Sequence, residues 1–262
     1  MKTAWVVQTN VEPESTSPAV LRHACEELEL PFHGVAVARD QPQLPDFPNT
    51  GGPVVFHGRN TLIQRALEHP LWQKGVCFAP EHFRHEAYVA GYGSAMLNAD
   101  ARVASLDELL SSNYPPNAEL FVCPIDDSKR FTGRALRFAD LPGVQESLSL
   151  PGELALVVAE VREIDAEWRL FLVDAKVAGG SMYRPSADRV LPAELIQFAE
   201  RAAQQWTPAP VFVMDVARMD RSWKIVECNC FNGSRFYDAD AVAVVHAVSA
   251  FQAVSAFQAD RW

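Results

Sequence analysis

The chain has no excess of basic residues. Its 33 acidic side chains outnumber its 23 lysines and arginines, giving a formal net charge of -10 and an isoelectric point near 5.2. Without a broad basic face to release counterions, neither nucleic acid nor an anionic membrane is an expected partner. No apolar run approaches the length of a membrane span. The N-terminal apolar stretch is broken by Gln8, Thr9 and Asn10, so it reads as a first β-strand and not as a signal peptide. The cysteines (Cys25, Cys77, Cys123, Cys228 and Cys230) are odd in number and scattered, which argues against a disulfide framework and for a cytoplasmic protein. Also missing are a GxxxxGK[ST] phosphate loop, metal spacing among the histidines and a convincing Ser-His-Asp or Cys-His set. What is present is ordinary globular material. At 262 residues and 48% hydrophobic, the chain can bury one large core or two modest ones.

The first hundred residues alternate short apolar runs with helical patterns. Strands are expected at 4–7, 35–38, 53–57 and 76–79, with helices at 18–30 and 60–68, which predicts a small parallel α/β unit. Gly51-Gly52 precedes a strand instead of opening a helix, so turn chemistry explains it better than phosphate binding. A short helix at 107–110 ends before Asn113-Tyr114-Pro115-Pro116, which reads as a domain junction. Beyond it the texture turns to strands, at 120–124, 154–161, 168–173, 176–183, 211–219 and 223–230. Helices are expected at 193–205 and from 239 onward. The last contains AVSAFQ twice, at 247–252 and 253–258; a six-residue period fits neither 3.6 nor 3.5 and reads as a local duplication.

The segment 210–230 reads as a hairpin turning at Asp220-Arg221-Ser222. Centred on Arg221, that turn sets Asp215 opposite Glu227 with Cβ atoms roughly 5 Å apart, and Asn229 on the same face. Two facing carboxylates repel unless something neutralises them. Hard oxygen ligands at this spacing suit Mg²⁺. The alternative is an exposed hairpin whose acids face water, which the apolar Val211, Val213 and Ile225 on that face disfavour. Cys228 and Cys230 alternate to the opposite face and read as core.

A second hairpin turns at Asp174-Ala175, setting Arg169 opposite Gly180, with Lys176 and Arg184 on the same face. A bidentate arginine is a natural partner for phosphate oxygens, and the glycines would leave a ligand room. Lys176, beside the turn, also fits an ordinary solvated charge. A third element, VCPIDDSKRFTGRAL, is a strand followed by a polar loop with Lys129.

Taken in order, these elements resemble the ATP-grasp superfamily, in particular the small RimK-related ATP-grasp proteins. The resemblance covers roughly residues 119–238 and implies an α/β (α+β) architecture. Two α+β subdomains, 113–160 and 161–262, would clasp ATP, preceded by a Rossmann-like pre-ATP-grasp domain at 1–112. In that family a flap lysine contacts the ATP phosphates, which Lys129 matches. Glu160 and Val161 fall at the adenine hinge, and Glu167 at the ribose. Arg169 and Arg184 would be the catalytic cations beside the transferred phosphoryl group. Asp215, Glu227 and Asn229 would hold Mg²⁺, with Mn²⁺ as the alternative ion. Asn232, Ser234 and Arg235 would lie near the acceptor substrate. The family's first lysine has no clear counterpart, Arg102 being the nearest basic residue.

The function implied is ATP-dependent ligation of a carboxylate to an amine through an acyl phosphate. The substrates would be small-molecule or peptide carboxylates and amines, with a homodimer as one candidate assembly. The rival readings are a phosphotransferase using the same ATP site and a non-catalytic nucleotide-binding protein.

Overall fold

The computed structural model describes residues 1–11, 16–38, 43–48, 51–125 and 130–259. The N-terminal unit carries β1 (Ala4–Gln8), α1 (Ser17–Glu27), β2 (Phe32–Val35), β3 (Val54–His57) and α2 (Asn60–Glu68). Its three strands are parallel in the order β2-β1-β3, as the strand–helix alternation predicts. β1 is buried along its whole length, and its residues Ala4, Trp5, Val6 and Val7 form a continuous apolar run. Residues 76–79, expected as a fourth strand, form none. The Cys77 amide instead donates to the Asn232 side-chain oxygen at 2.8 Å.

The second unit is antiparallel. After α3 (His85–Tyr92) come β4 (Arg102–Ser105), α4 (Leu106–Leu110), β5 (Glu119–Pro124), β6 (Arg134–Arg137), α5 (Leu141–Leu148) and β7 (Ala155–Glu160), with strand order β4-β7-β5-β6. α4 starts on a capping box in which the Glu108 amide donates to Ser105 Oγ at 3.2 Å and the Ser105 amide to Glu108 Oε2 at 2.8 Å. Leu106, Leu109, Leu120, Val122, Leu156 and Val158 build a core of this unit's own. The junction expected at 112–113 falls inside it, because β4 pairs with β7. The sequence reading missed β4, β6, α3 and α5, all short.

The third unit contains β8 (Ala166–Val173), β9 (Lys176–Arg184), α6 (Ala193–Gln205), β10 (Val211–Met219), β11 (Ser222–Cys230) and α7 (Ala241–Ala259). Its strands are ordered β11-β10-β8-β9 and all are antiparallel. β8 and β10 lie in the middle; among their buried residues one face is apolar, and the other is apolar except for Glu167, Arg169 and Asp215. Trp168, Leu170, Leu172, Phe212 and Met214 pack with Leu195 and Ala199 of α6. Phe171, Val173, Val211 and Val213 pack with Val244, Val245 and Val248 of α7 and with Leu21 of α1. α7 also ties back to the first sheet, since Trp5 Nε1 donates to Ser249 Oγ at 3.0 Å. The duplicated hexapeptides lie within this one helix. No helix among the described residues is long and apolar enough to cross a membrane.

Candidate nucleotide and metal site

Each hairpin turns through two residues in the left-handed region, Asp174-Ala175 (φ 49° and 58°) and Asp220-Arg221 (φ 43° and 70°). This geometry suits the right-handed twist of paired strands. The second turn is therefore one residue shorter than expected. A bulge restores the register. Val216 faces Ile225, whereas Asp215 faces Glu227, with Val226 as the extra residue. The same bulge moves Ile225 off the Asp215 face and into the α6-side core.

β8 meets β10 with Arg169 directly opposite Asp215, so one row across the sheet reads Ser181, Arg169, Asp215, Glu227. Arg169 Nε donates to Asp215 Oδ1 at 2.9 Å and Nη2 donates to Oδ2 at 2.7 Å. Asp215 is 2% exposed and Arg169 9%, so this is a buried two-pronged ion pair. Burial works to lower the Arg169 pKa, but the Asp215 carboxylate, with Tyr237 and Glu227, outweighs it and raises the pKa. The Asn229 amide nitrogen closes the cluster, donating to Asp215 Oδ2 at 3.2 Å and Glu227 Oε1 at 2.9 Å.

A bulge at Phe171/Leu172 puts Arg169 opposite Ser181 and not Gly180. Gly180 leaves no room for a ligand, because a Cβ there would lie 2.5 Å from the Arg169 carbonyl oxygen. Lys176 does not join Arg169. It pairs with Glu200 of α6 at 3.1 Å. Arg184 faces Glu167, and its Nη1 donates to Glu167 Oε1 at 3.0 Å. Glu167 is buried and also accepts from the Tyr183 hydroxyl.

Between this sheet and the β4–β7 sheet lies a cavity of about 610 Å³. One wall carries Glu167, Arg169, Arg184, Asp215 and Glu227. Glu160 and Val161, at the end of β7, stand on the other. Lys129 lies outside the described residues. Arg102 is exposed on β4 and does not line the cavity.

The three residues after β11 do not join the cavity lining. Asn232 is fully buried and donates to the carbonyls of Phe56 at 2.6 Å and Gly75 at 3.2 Å while accepting from Cys77. Ser234 is buried, with its hydroxyl on the Cys230 carbonyl at 2.6 Å. Arg235 is exposed, and its carbonyl accepts from Arg169 Nη1 at 3.5 Å.

The sequence reading missed two tyrosines. Tyr183 and Tyr237 stack with ring centroids 5.2 Å apart, and the Arg169 guanidinium lies 5.0 Å from the Tyr237 ring. Tyr237 holds a left-handed backbone (φ 49°), costly for an aromatic residue and typical of functional loops. That conformation has no signature in FYDAD. The thiol of Cys123, also on the cavity wall, is pushed up to about 12 by burial and then by Glu227, so it is no nucleophile at neutral pH.

Among the described residues no group of three or more His, Cys, Asp or Glu is placed to hold a metal ion. Asp215 and Glu227 nonetheless face each other across the hairpin, each within hydrogen-bond distance of the Asn229 amide. Two carboxylates and one amide suit a Mg²⁺ ion that keeps water and substrate oxygens in its shell.

The fold has clear relatives. The chain resembles a RimK-domain ATP-grasp protein from Sphaerobacter thermophilus DSM 20745 over 95% of its own length and 99% of the other's, with TM-score 0.60 and 15% identity. The D-cycloserine synthetase DcsG gives TM-score 0.58 at 14% identity, covering 95% and 99% of the two chains. D-alanine–D-alanine ligase from Bacillus anthracis gives 0.54 at 13%, covering 97% and 94%. At these identities the likeness is one of fold. No curated protein sequence matches the chain. The sequence model for the ATP-grasp domain of R2K clade family 3 matches residues 29–248, and the chain belongs to that family of the ATP-grasp superfamily.

Proposed function

We propose that the protein is an ATP- and Mg²⁺-dependent ligase that joins a carboxylate to an amine through an acyl phosphate. The observation that carries this reading is the one cleft in which Asp215 and Glu227 adjoin Arg169, Arg184 and Glu167, with Glu160 and Val161 across from them, while Asn229, outside the cavity lining, donates to both acids. Bound Mg²⁺ (or Mn²⁺) would supply charge neutralisation between nucleotide phosphates and the two carboxylates. Glu160 and Val161 would meet the adenine, and Glu167 the ribose. Arg169 and Arg184 would offset charge as the γ-phosphoryl group moves to the substrate carboxylate. Lys129 would do the same on the nucleotide side. Such transfer is mostly positioning and electrostatics, so no side-chain nucleophile is required. The amine then attacks the acyl phosphate, giving an amide, ADP and phosphate.

The first test is a thermal shift with ATP, with and without Mg²⁺. Wild type should gain stability only with both, whereas Asp215→Ala and Glu227→Ala should lose most of that gain. Equal responses from wild type and variants would sink the site assignment. Screening amino acids and peptides for ADP release, with the product identified by mass, then tests the ligase chemistry. A phosphorylated product in place of an amide would favour a phosphotransferase.

A further inference from the structure

The Asp215 carboxylate already accepts three hydrogen bonds. Arg169 holds both of its oxygens and Asn229 donates to one of them. Strand register fixes this geometry, since Arg169 on β8 and Glu227 on β11 flank Asp215 from opposite sides of β10. A divalent cation entering between Asp215 and Glu227 would therefore meet an ion pair already made. It would compete with the guanidinium for the Asp215 oxygens and be repelled by its charge. The other contacts of the guanidinium are soft. The faces of Tyr237 and Tyr183 lie 5.0 Å and 6.0 Å away, and Nη1 reaches the Arg235 carbonyl only at 3.5 Å. Ring faces hold a cation without fixing the direction of its N–H groups. The same guanidinium lines the cleft, so it can turn from the carboxylate to an anionic ligand there.

Resting on the metal-site reading above, we propose that Arg169 is an exchangeable counter-ion for Asp215. The divalent cation binds the protein weakly until substrate phosphate draws the guanidinium off the carboxylate. Metal and phosphate then bind with positive coupling, and the coupling is reciprocal. Arg169 is in this sense a positioning residue that keeps buried Asp215 and exposed Glu227 from taking up cations out of turn.

The test is a titration of the full-length chain with Mn²⁺ in the absence of nucleotide, following free Mn²⁺ by electron paramagnetic resonance. Arg169→Met should bind Mn²⁺ roughly tenfold more tightly than wild type, because one repelling charge and one competitor have gone. Adding Asp215→Asn should abolish that gain. Arg169→Lys, which keeps the charge, should stay near wild type. If Arg169 instead aims Asp215 at the metal, Arg169→Met will bind Mn²⁺ equally or more weakly, and the proposal is overturned. A measurement on wild type guards against a variant that fails to fold. The Arg169 Nε–H resonance should shift on adding Mg²⁺ with a non-hydrolysable ATP analogue. An unchanged signal with the analogue bound also overturns the exchange. The nucleotide-free titration reads the counter-ion role alone, whereas Mg-dependent stabilisation by ATP reads the ligase assignment, so the two can fail separately.

Discussion

His57 ends β3 fully enclosed, with Nε2 donating to the Ser234 carbonyl at 3.1 Å and its ring between Phe231 and Phe236. Burial, only partly opposed by that hydrogen bond, lowers its pKa from 6.5 to about 4. The sign of the consequence follows from which state takes the proton. Above pH 6.5 the imidazole is neutral in both states and costs nothing. Between about pH 6.5 and 4 the unfolded chain binds a proton that the folded chain refuses, so stability falls as the pH falls, by up to about 3 kcal/mol. Urea unfolding at pH 7, 6 and 5 should follow this slope, and His57→Phe should flatten it; an unchanged slope would refute the assignment. Neighbouring residues mark what the sequence could and could not disclose. FNGSRF has the polar look of a substrate loop, yet Asn232 uses its whole amide on the backbone of Phe56, Gly75 and Cys77, tying the first sheet to β11. Those partners lie at least 155 positions away in sequence, beyond any local pattern. Asp215 and Glu227 were legible because strand alternation and one turn suffice to place them.

Hairpin register tests that alternation most severely. A three-residue turn and a regular ladder predict that Asp215 faces Glu227, and so do the observed two-residue turn and bulge at Val226. The two departures cancel at Asp215 and not at Ile225, which changes face. In the other hairpin the turn is as expected, but the bulge at Phe171/Leu172 has nothing to cancel it, and Arg169 shifts by one partner. Bulges are invisible to a period-two reading because they add a residue without changing composition. Turn strain can be tested directly. Arg221 is exposed and holds φ 70°, a conformation that costs a residue with a Cβ about 1 kcal/mol relative to glycine. Arg221→Gly should therefore raise stability by about 1 kcal/mol and shift the melting temperature up by roughly 2–4 °C. A lower melting temperature would mean that the Arg221 side chain contributes more than its backbone costs.

At the scale of the whole molecule, the cleft lies between two sheets with unequal support. The β8–β11 sheet is packed on both faces, against α6 on one and α7 with α1 on the other. The β4–β7 sheet relies on one core of its own, closed by α4 and α5. The sequence reading divided the chain at 112 on the breaker Asn113-Tyr114-Pro115-Pro116, whereas the four-residue β4 pairs across that point with β7, which begins fifty residues later. A contact between such distant segments leaves no local trace. This asymmetry predicts where the molecule opens first. Elements with few packed neighbours unfold in sub-global steps below the global stability. Leu120 on β5 is buried in the smaller core, and Leu120→Ala should cost about 2–5 kcal/mol there. Hydrogen exchange should quicken along residues 102–160, while the amides of β8 and β10 keep their protection. Because Glu160 and Val161 extend from this sheet to the cleft, the variant should also weaken nucleotide binding without touching Asp215 or Glu227. Uniform loss of protection across all three sheets would show instead that the molecule unfolds as one cooperative body.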